Sequence, residues 1–245
     1  MGKTRVDQLL VERGLAESRT RAQALVLAGK VLVQGQRVDK PGTAVRDDVV
    51  LEVRGADHPF VSRGGVKLAA ALDHFGVQVA GVRALDVGAS TGGFTDCLLQ
   101  RGAACVVAVD VGYGQLASSL RSDPRVVVME RTNARTLTPE AIGGLVDLTV
   151  VDASFIGLDK LAEALRRTLR AGGTLVALVK PQFEVGRVEA SRGRGVVRDP
   201  ELRARAVESG VEALRRAGFD VRGVVDSVLA GPRGNLEAFV HSRAK

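Results

Sequence analysis

From residue 64 onward, short apolar segments alternate with stretches of helical periodicity. The first of these segments are uninterrupted by polar residues, as expected where both faces of a parallel sheet are covered. Such alternation favours a doubly wound α/β domain. The predicted strands are 84–87, 106–110, 126–129, 148–152, 174–180, 221–228 and 238–241, and the predicted helices are 65–75, 93–101, 115–121, 158–169 and 201–217.

Residues 4–53 have the pattern of a separate small α+β unit. Apolar residues at helical spacing predict a first helix that ends at Gly14, and Ser18 is a suitable N-cap for a second helix over 19–28. Gly35 suits a tight hairpin between two short strands, and a last strand is predicted at 49–53. We therefore predict a small domain at 1–54, a linker at 55–63 and a large domain at 64–245, with a mobile loop at 186–198.

The net charge of +7 favours a polyanionic partner, with nucleic acid first and an acidic membrane surface second, although a merely soluble basic protein fits the charge equally well. Cys97 and Cys105 are the two cysteines and have no CxxC spacing, and the three histidines are scattered, so we expect no metal site. No apolar run approaches the roughly 20 residues that span a bilayer. We expect a soluble cytoplasmic protein without a membrane partner, and the sequence leaves its oligomeric state open.

A glycine-rich turn joins the first predicted strand of the large domain to its next helix. It has the spacing G-x-x-x-G-G after an acid, whereas a dinucleotide site prefers G-x-G-x-x-G. This variant favours S-adenosylmethionine, whose amino-acid end the turn would hold. The predicted cofactor residues of this segment are Asp86, Gly88, Ala89, Ser90, Thr91, Gly92, Gly93 and Phe94.

The next two strand ends carry further candidates for cofactor binding. Asp110, followed by Val111, ends the second strand, where a carboxylate can bind both ribose hydroxyls, and Asn133 follows the third strand and can bond the adenine edge. One glycine-rich turn also occurs in α/β domains that hold no ligand. The turn, Asp110 and Asn133 at three successive strand ends favour a cofactor.

The end of the fourth strand lacks the Asn/Asp-Pro-Pro-aromatic loop that methylation of an exocyclic amine usually needs. Lys180 instead ends the fifth strand, and Lys67, Asp152 and Glu237 can converge with it at the carboxyl ends of the strands. Two alternatives remain open at this point. Lys180 can simply extend out of the sheet, and Asp152 can be a structural acid.

Five segments together resemble the TlyA family of ribosomal RNA (cytidine-2′-O)-methyltransferases, whose members are often labelled haemolysins. They are residues 62–68 (SRGGVKL), 88–95 (GASTGGFT), 110–116 (DVGYGQL), 178–184 (LVKPQFE) and 234–237 (GNLE). The N-terminal unit is similar to the S4 RNA-binding domain of that family at residues 5–7, 18–22 and 28–33. The large domain resembles FtsJ-type methyltransferases.

The resemblance implies a Rossmann-like methyltransferase domain with seven strands, the last antiparallel, preceded by an S4 domain. It implies S-adenosylmethionine as cofactor and ribosomal RNA within ribosomal subunits as partner. The family's K-D-K-E tetrad matches Lys67, Asp152, Lys180 and Glu237. In this interpretation Lys180 orients and deprotonates a ribose hydroxyl, Asp152 steers the lysine or lies near the cofactor, and Glu237 and Lys67 complete the network.

Cations of the N-terminal unit and the linker are the predicted RNA contacts, because cations dominate binding to phosphates. They are Arg5, Arg19, Arg21, Lys30 and Arg63. A solvated basic helix face is the alternative for the first four. A target cytidine has to leave its stack, and Phe60, Phe155 and Phe183 are available to stack against it.

The family also divides by substrate. A shorter form modifies the large-subunit RNA only, and a longer form with extra terminal residues also modifies the small-subunit RNA. The chain begins three residues before its S4-like motif and ends soon after Glu237, so the shorter form is favoured. Two other function classes remain as alternatives, namely a non-catalytic ribosome-assembly factor and a membrane-active haemolysin.

Overall fold

The structure, a computed structural model, describes residues 2–16, 18–53, 58–184, 196–231 and 234–245. The chain divides into two compact units, residues 1–63 and 64–245. Part of the predicted linker, at 55–57, and most of the predicted mobile loop, at 186–195, lie outside the described residues.

The N-terminal unit combines two helices with two small antiparallel sheets. In chain order it contains β1 (Lys3–Arg5), α1 (Val6–Glu12), α2 (Arg19–Leu27), β2 (Val31–Val33), β3 (Gln36–Arg37), β4 (Ala44–Arg46) and β5 (Leu51–Val53). Strands β1 and β4 form one sheet, and the other has the order β3-β2-β5. The helices cover these strands with apolar side chains such as Val6, Leu10 and Val26, which are fully buried.

Local signals in this unit act as the sequence predicts. The Ser18 hydroxyl accepts a hydrogen bond from the backbone N–H of Arg21 and caps α2. Gln34 and Gly35 both have positive φ angles, which is the geometry of a two-residue hairpin turn whose twist matches the strands. Strands β1 and β4 were not predicted, because three-residue strands with exposed, alternating polar residues carry little periodic signal.

The C-terminal unit is a doubly wound α/β domain, as predicted. Its helices are α3 (Arg63–Phe75), α4 (Gly93–Gln100), α5 (Ser118–Arg121), α6 (Ala162–Thr168), α7 (Pro181–Glu184) and α8 (Pro200–Arg216). Its strands are β6 (Arg83–Val87), β7 (Cys105–Val109), β8 (Val126–Met129), β9 (Val146–Val151), β10 (Leu169–Val179), β11 (Phe219–Asp226) and β12 (Ala238–Ala244).

These seven strands form one sheet in the order β11-β12-β10-β9-β6-β7-β8. Strand β12, the last in the chain, runs antiparallel to both of its neighbours, whereas β8, β7, β6, β9 and β10 pair in parallel. This confirms the predicted seven-stranded sheet with an antiparallel last strand. The central strands are almost wholly buried, which explains their continuous apolar sequence.

The largest error concerns the helix predicted over residues 158–169. The structure has a 3₁₀ turn at Leu158–Lys160, then α6, and Leu169 already begins β10. Leu169 pairs with Val146, and a register shift separates that pair from the one at Thr174. A leucine fits the apolar face of a helix or a strand, so periodicity alone could not place the boundary.

Candidate active site

The candidate site lies where the parallel strands of the C-terminal unit end, which we call the carboxyl edge of the sheet. Val87 of β6 pairs with Val151 of β9, and Val151 in turn lies opposite Ala177 of β10. Val179, the last residue of β10, pairs with Ala238, the first residue of β12. Residues that follow β6, β9 and β10, or precede β12, are therefore brought to one edge.

The glycine-rich turn between β6 and α4 needs its glycines for two separate reasons. Gly88 has a φ of +87°, and a Cβ there would lie 2.8 Å from the carbonyl oxygen of Asp152. Gly92, at φ +96°, is the N-cap of α4, and its Cβ would collide with the Leu120 side chain. The turn is thus packed against the end of β9 on one side and against α5 on the other, and a larger residue would displace it.

Asp110 connects the turn to the end of β7. Its two carboxylate oxygens accept hydrogen bonds from the backbone N–H groups of Ser90, at 2.8 Å, and Gly112, at 2.7 Å. A carboxylate oxygen accepts more than one donor, so both oxygens can still bind hydroxyl groups. Val111 beside it is 73% exposed and offers an apolar surface at the same strand end.

Asn133, the third strand-end candidate, caps the 3₁₀ turn at Ala134–Thr136. Its side-chain oxygen accepts a hydrogen bond from the N–H of Arg135, and the residue is exposed. The assignment of Asn133 to an adenine edge stays a prediction.

Two predicted cofactor residues point into the protein instead. Asp86 is fully buried and accepts a hydrogen bond from the Thr95 hydroxyl at 2.6 Å. Burial raises the pKa of the Asp86 carboxyl to about 7, and the negative charges of Asp152 and Asp110 add to that rise. Phe94 is buried and stacks on Phe239 with ring centroids 6.0 Å apart.

The four predicted catalytic residues form two lysine–carboxylate pairs. Lys180 Nζ lies 2.7 Å from Asp152 Oδ1, and it also donates to the carbonyl oxygen of Asp152 at 3.2 Å and to the Ser154 hydroxyl at 2.8 Å. This pair follows the neighbouring strands β9 and β10. Lys180 has a side-chain exposure of 11%, and Asp152 one of 26%.

Lys67 and Glu237 form the second pair, with Nζ and Oε2 2.6 Å apart. Lys67 reaches the edge from α3, and Glu237 directly precedes β12. Both are buried, and Glu237 Oε1 has no hydrogen-bond partner among the described residues. Since Val179 pairs with Ala238, the antiparallel register brings Glu237 and Lys180 to adjacent positions at the edge.

Sequence analysis did not identify Ser154 and Glu184, whose hydrogen bonds fix the segments on either side of the Lys180–Asp152 pair. Ser154 accepts from Lys180, and a carboxylate oxygen of Glu184 accepts from the Leu158 N–H at 2.9 Å. The position of Ser154 two residues after Asp152 was a usable signal. Glu184 lies four residues after Lys180, which also predicts a shared helix face.

The predicted RNA contacts of the N-terminal unit include two arginines held by a buried acid. Asp7 accepts hydrogen bonds from Arg5, Arg19 and Gln23 at 2.9–3.1 Å. These donors, the Arg5 bond first, hold the pKa of the Asp7 carboxyl far below its usual range despite burial. Arg5 and Arg19 remain about half exposed, so their cationic surface is positioned and accessible at once.

The other predicted RNA contacts are distributed over separate elements. Arg21 is exposed on α2, and Lys30 is half-buried just before β2. Arg63 begins α3. Of the aromatic candidates, Phe155 is 90% exposed and contacts Phe183, with ring centroids 5.2 Å apart, beside the Lys180–Asp152 pair.

Two features of the described residues bear on other function classes. No group of three or more His, Cys, Asp or Glu side chains in this part of the chain is arranged to hold a metal ion. No helix among the same residues has the length and apolar character needed to cross a membrane.

Comparison with protein families places these features in context. Residues 60–244 match the FtsJ-like methyltransferase family, and residues 4–51 match the S4 domain. A 16S/23S rRNA (cytidine-2′-O)-methyltransferase, TlyA of Mycobacterium tuberculosis, is 54% identical over 99% of this chain and 91% of its own length. The chain belongs to the TlyA family of methyltransferases. The predicted S4 domain, FtsJ-like domain and family are therefore confirmed.

Two further relatives extend this comparison. The 23S rRNA (cytidine-2′-O)-methyltransferase TlyA of Campylobacter jejuni is 33% identical over 74% of this chain and 70% of its own length. A solved structure from Streptococcus thermophilus, which carries the name hemolysin, is 42% identical, covers 100% of this chain and 90% of its own, and has a TM-score of 0.83. The family is a methyltransferase family, which counts against the alternative of a non-catalytic assembly factor.

Proposed function

We propose that this enzyme transfers a methyl group from S-adenosylmethionine to the 2′-hydroxyl of a cytidine in ribosomal RNA. The observation that carries the proposal is the Lys180–Asp152 pair at the carboxyl edge, beside the glycine-rich turn. An amine at this position can orient a hydroxyl and receive its proton. No Asn/Asp-Pro-Pro-aromatic loop follows β9, which speaks against an exocyclic amine as the acceptor.

The residues around the turn fit the cofactor. The backbone approaches closely at Gly88 and Gly92, the Asp110 oxygens can accept further donors, and the Val111 side chain is exposed. We assign the amino-acid end of the cofactor to the turn, its ribose to Asp110 and its adenine to Val111 and Asn133. When bound, S-adenosylmethionine would supply an electrophilic methyl group on its sulfonium sulfur.

The reaction requires the ribose 2′-oxygen to lose its proton as it bonds to the methyl carbon. We assign the orientation of this hydroxyl and the acceptance of its proton to the Lys180 amine, which Asp152 and Ser154 hold in place through the contacts described above. Lys67 and Glu237 form a buried pair at the adjacent position of the edge. Correct alignment of the oxygen with the methyl carbon is the main contribution of such a network.

Affinity for RNA is assigned to the basic residues of the N-terminal unit, with Arg5 and Arg19 anchored on Asp7. Base stacking is assigned to Phe155, whose exposed ring lies next to the reacting pair. A ribosomal substrate also places the enzyme in the cytoplasm. The names of the relatives from Mycobacterium tuberculosis and Campylobacter jejuni both include the 23S RNA, so we propose large-subunit RNA as a substrate and small-subunit RNA as a second candidate.

The test is methyl transfer from tritiated S-adenosylmethionine to purified large and small ribosomal subunits that lack the modification. We expect label in large-subunit RNA with the wild-type enzyme, and titration calorimetry should detect S-adenosylmethionine binding. Cofactor binding without label in either subunit would contradict the assigned acceptor. The name hemolysin implies an activity that damages membranes. Leakage from liposomes, measured in parallel, tests that activity, and we expect no leakage.

A further inference from the structure

The short helix α7 presents three side chains to the segment that follows Asp152. Lys180, Phe183 and Glu184 occur at positions i, i+3 and i+4, which lie on one side of a helical turn. The N–H of Phe183 donates to the carbonyl oxygen of Lys180 at 2.9 Å, so the turn includes the lysine itself. All three side chains contact the segment 152–158.

Glu184 makes the contact farthest from the reacting pair. Its Oε1 accepts the hydrogen bond from the N–H of Leu158, the first residue of the 3₁₀ turn, which has no acceptor within the turn itself. A Cβ added to Gly157 would lie 3.1 Å from Glu184 Oε2 and 3.3 Å from the Phe183 carbonyl oxygen. The carboxylate therefore caps the turn at close range, across the gap between two strand ends.

The sheet itself no longer holds these two segments together at this point. Strand β9 ends at Val151 and β10 ends at Val179, so the ladder stops before Asp152 and Lys180. Beyond it, the Phe155–Phe183 contact involves a ring that is 90% exposed. The Glu184–Leu158 hydrogen bond is better shielded from solvent, because the Glu184 side chain is partly buried. It also fixes the backbone of the segment, since its donor is the Leu158 N–H.

A charge at this position works against folding. Burial raises the pKa of the Glu184 carboxyl to about 7, and the nearby negative charge of Asp159 adds to the rise, while the Leu158 N–H opposes it. Asp159 is itself paired with Lys160 at 2.9 Å. An apolar side chain would be buried more easily, so fold stability alone does not account for a hydrogen-bond acceptor here.

We propose that Glu184 is a positioning residue that clasps the Asp152-bearing segment to the Lys180-bearing helix and so sets the geometry of that pair. This inference rests on the proposed function, in which Lys180 and Asp152 act on the ribose hydroxyl. Glu184 touches neither of them in the described contacts. It acts through the backbone at Leu158 and through the helical turn that begins at Lys180.

The test compares two substitutions of similar size. E184Q keeps an oxygen that accepts from the Leu158 N–H, whereas E184L keeps the bulk and cannot accept. We expect E184L to lower kcat for methyl transfer by about 10-fold to 100-fold, since small misplacements in a reacting pair have effects of this size, with KM for RNA within about twofold. E184Q should stay within about threefold of wild-type kcat, and E208L, at an exposed glutamate of α8, is the matched control.

A second variant opens the clasp without changing Glu184. Gly157 has a φ of −79°, which alanine adopts freely, yet its Cβ would press on Asp159 and Glu184. We expect G157A to lower kcat as E184L does. Hydrogen exchange at the Leu158 amide should become faster in E184L and stay slow in E184Q.

Three results would overturn the inference: wild-type kcat in folded E184L, failure of E184Q to restore kcat, or unchanged Leu158 exchange in E184L. A wild-type enzyme that transfers no methyl group to RNA would instead refute the proposed function. The exchange measurement still reports on the clasp in that case, so the two failures are distinguishable.

Discussion

Two lysine–carboxylate pairs stand at the carboxyl edge of the same sheet, and they differ in their access to solvent. Lys67 and Glu237 have side-chain exposures of 8% and 1%, whereas Lys180 and Asp152 have 11% and 26%. Lys67 donates to an oxygen of Glu237. Lys180 has Asp152 and also the Ser154 hydroxyl.

The difference in exposure indicates that the two pairs have different roles. In a buried pair each charge neutralises the other, because removing one partner leaves the other charge unpaired and out of contact with water. A partly open pair can exchange partners with a substrate at small cost. We therefore expect Lys67–Glu237 to maintain the site and Lys180–Asp152 to perform the chemistry.

Removal of the Lys180 amine should give the largest loss of activity. General acid–base catalysis contributes about 10²-fold to 10⁴-fold, so K180A should lower kcat by at least about 100-fold while cofactor affinity and Tm change little. The measurement is tritiated methyl transfer to ribosomal subunits, with calorimetry for cofactor binding. K160A, at an exposed lysine on the nearby 3₁₀ turn, is the matched control. Turnover retained in K180A would contradict the assignment of the chemistry to the Lys180–Asp152 pair.

Removal of Lys67 should affect stability most. K67M leaves Glu237 buried without its cation, and breaking a buried pair in this way costs about 3–5 kcal/mol in the free energy of unfolding. The double variant K67M/E237L removes both charges and should recover most of that loss, as urea unfolding would measure. If K67M alone unfolds at the wild-type urea concentration, the pair has no structural role.

Asp86 extends the comparison to a buried acid whose hydrogen-bond donor is a hydroxyl, that of Thr95, and not a lysine. Its raised pKa means that the folded protein binds a proton more tightly than the unfolded chain, so the stability from Asp86 is full below its unfolded pKa and declines as pH rises through about 7. D86N removes this dependence. Relative to wild type, the variant should gain up to about 1.4 kcal/mol per pH unit between roughly pH 4 and 7.

Urea unfolding of both proteins at several pH values between 4.5 and 8.5 measures this trend. D226N, at an exposed aspartate, serves as the control. A constant difference between D86N and wild type over that range would show that Asp86 titrates normally.

The smallest effect is expected at Ser154. S154A removes one acceptor of Lys180 and leaves Asp152 in place. A single hydrogen bond contributes about 0.5–1.5 kcal/mol, so kcat should fall by about twofold to tenfold. If S154A lowers kcat as far as K180A does, the lysine depends on the hydroxyl more than on Asp152.

The sequence predicted those parts of the molecule that depend on local patterns. Buried parallel strands are continuous apolar runs, and Gly88 and Gly92 occupy backbone positions that need glycine, so the fold class and the turn were both readable. The four tetrad residues were predicted from their places near strand ends and then from the resemblance, while their division into two pairs depends on the register between β10 and β12. The Asp7 cluster and the Glu184 clasp join separate elements, and a pattern along one segment does not contain such contacts.

The most direct test of the central claim is the chemical position of the transferred methyl group. A 2′-O-methyl group blocks alkaline cleavage at the adjacent phosphodiester, because that cleavage needs a free 2′-hydroxyl. After reaction with tritiated S-adenosylmethionine and alkaline hydrolysis of the ribosomal RNA, we expect the label in alkali-resistant dinucleotides that contain 2′-O-methylcytidine. Label in mononucleotides, which would place the methyl group on a base, would contradict the account.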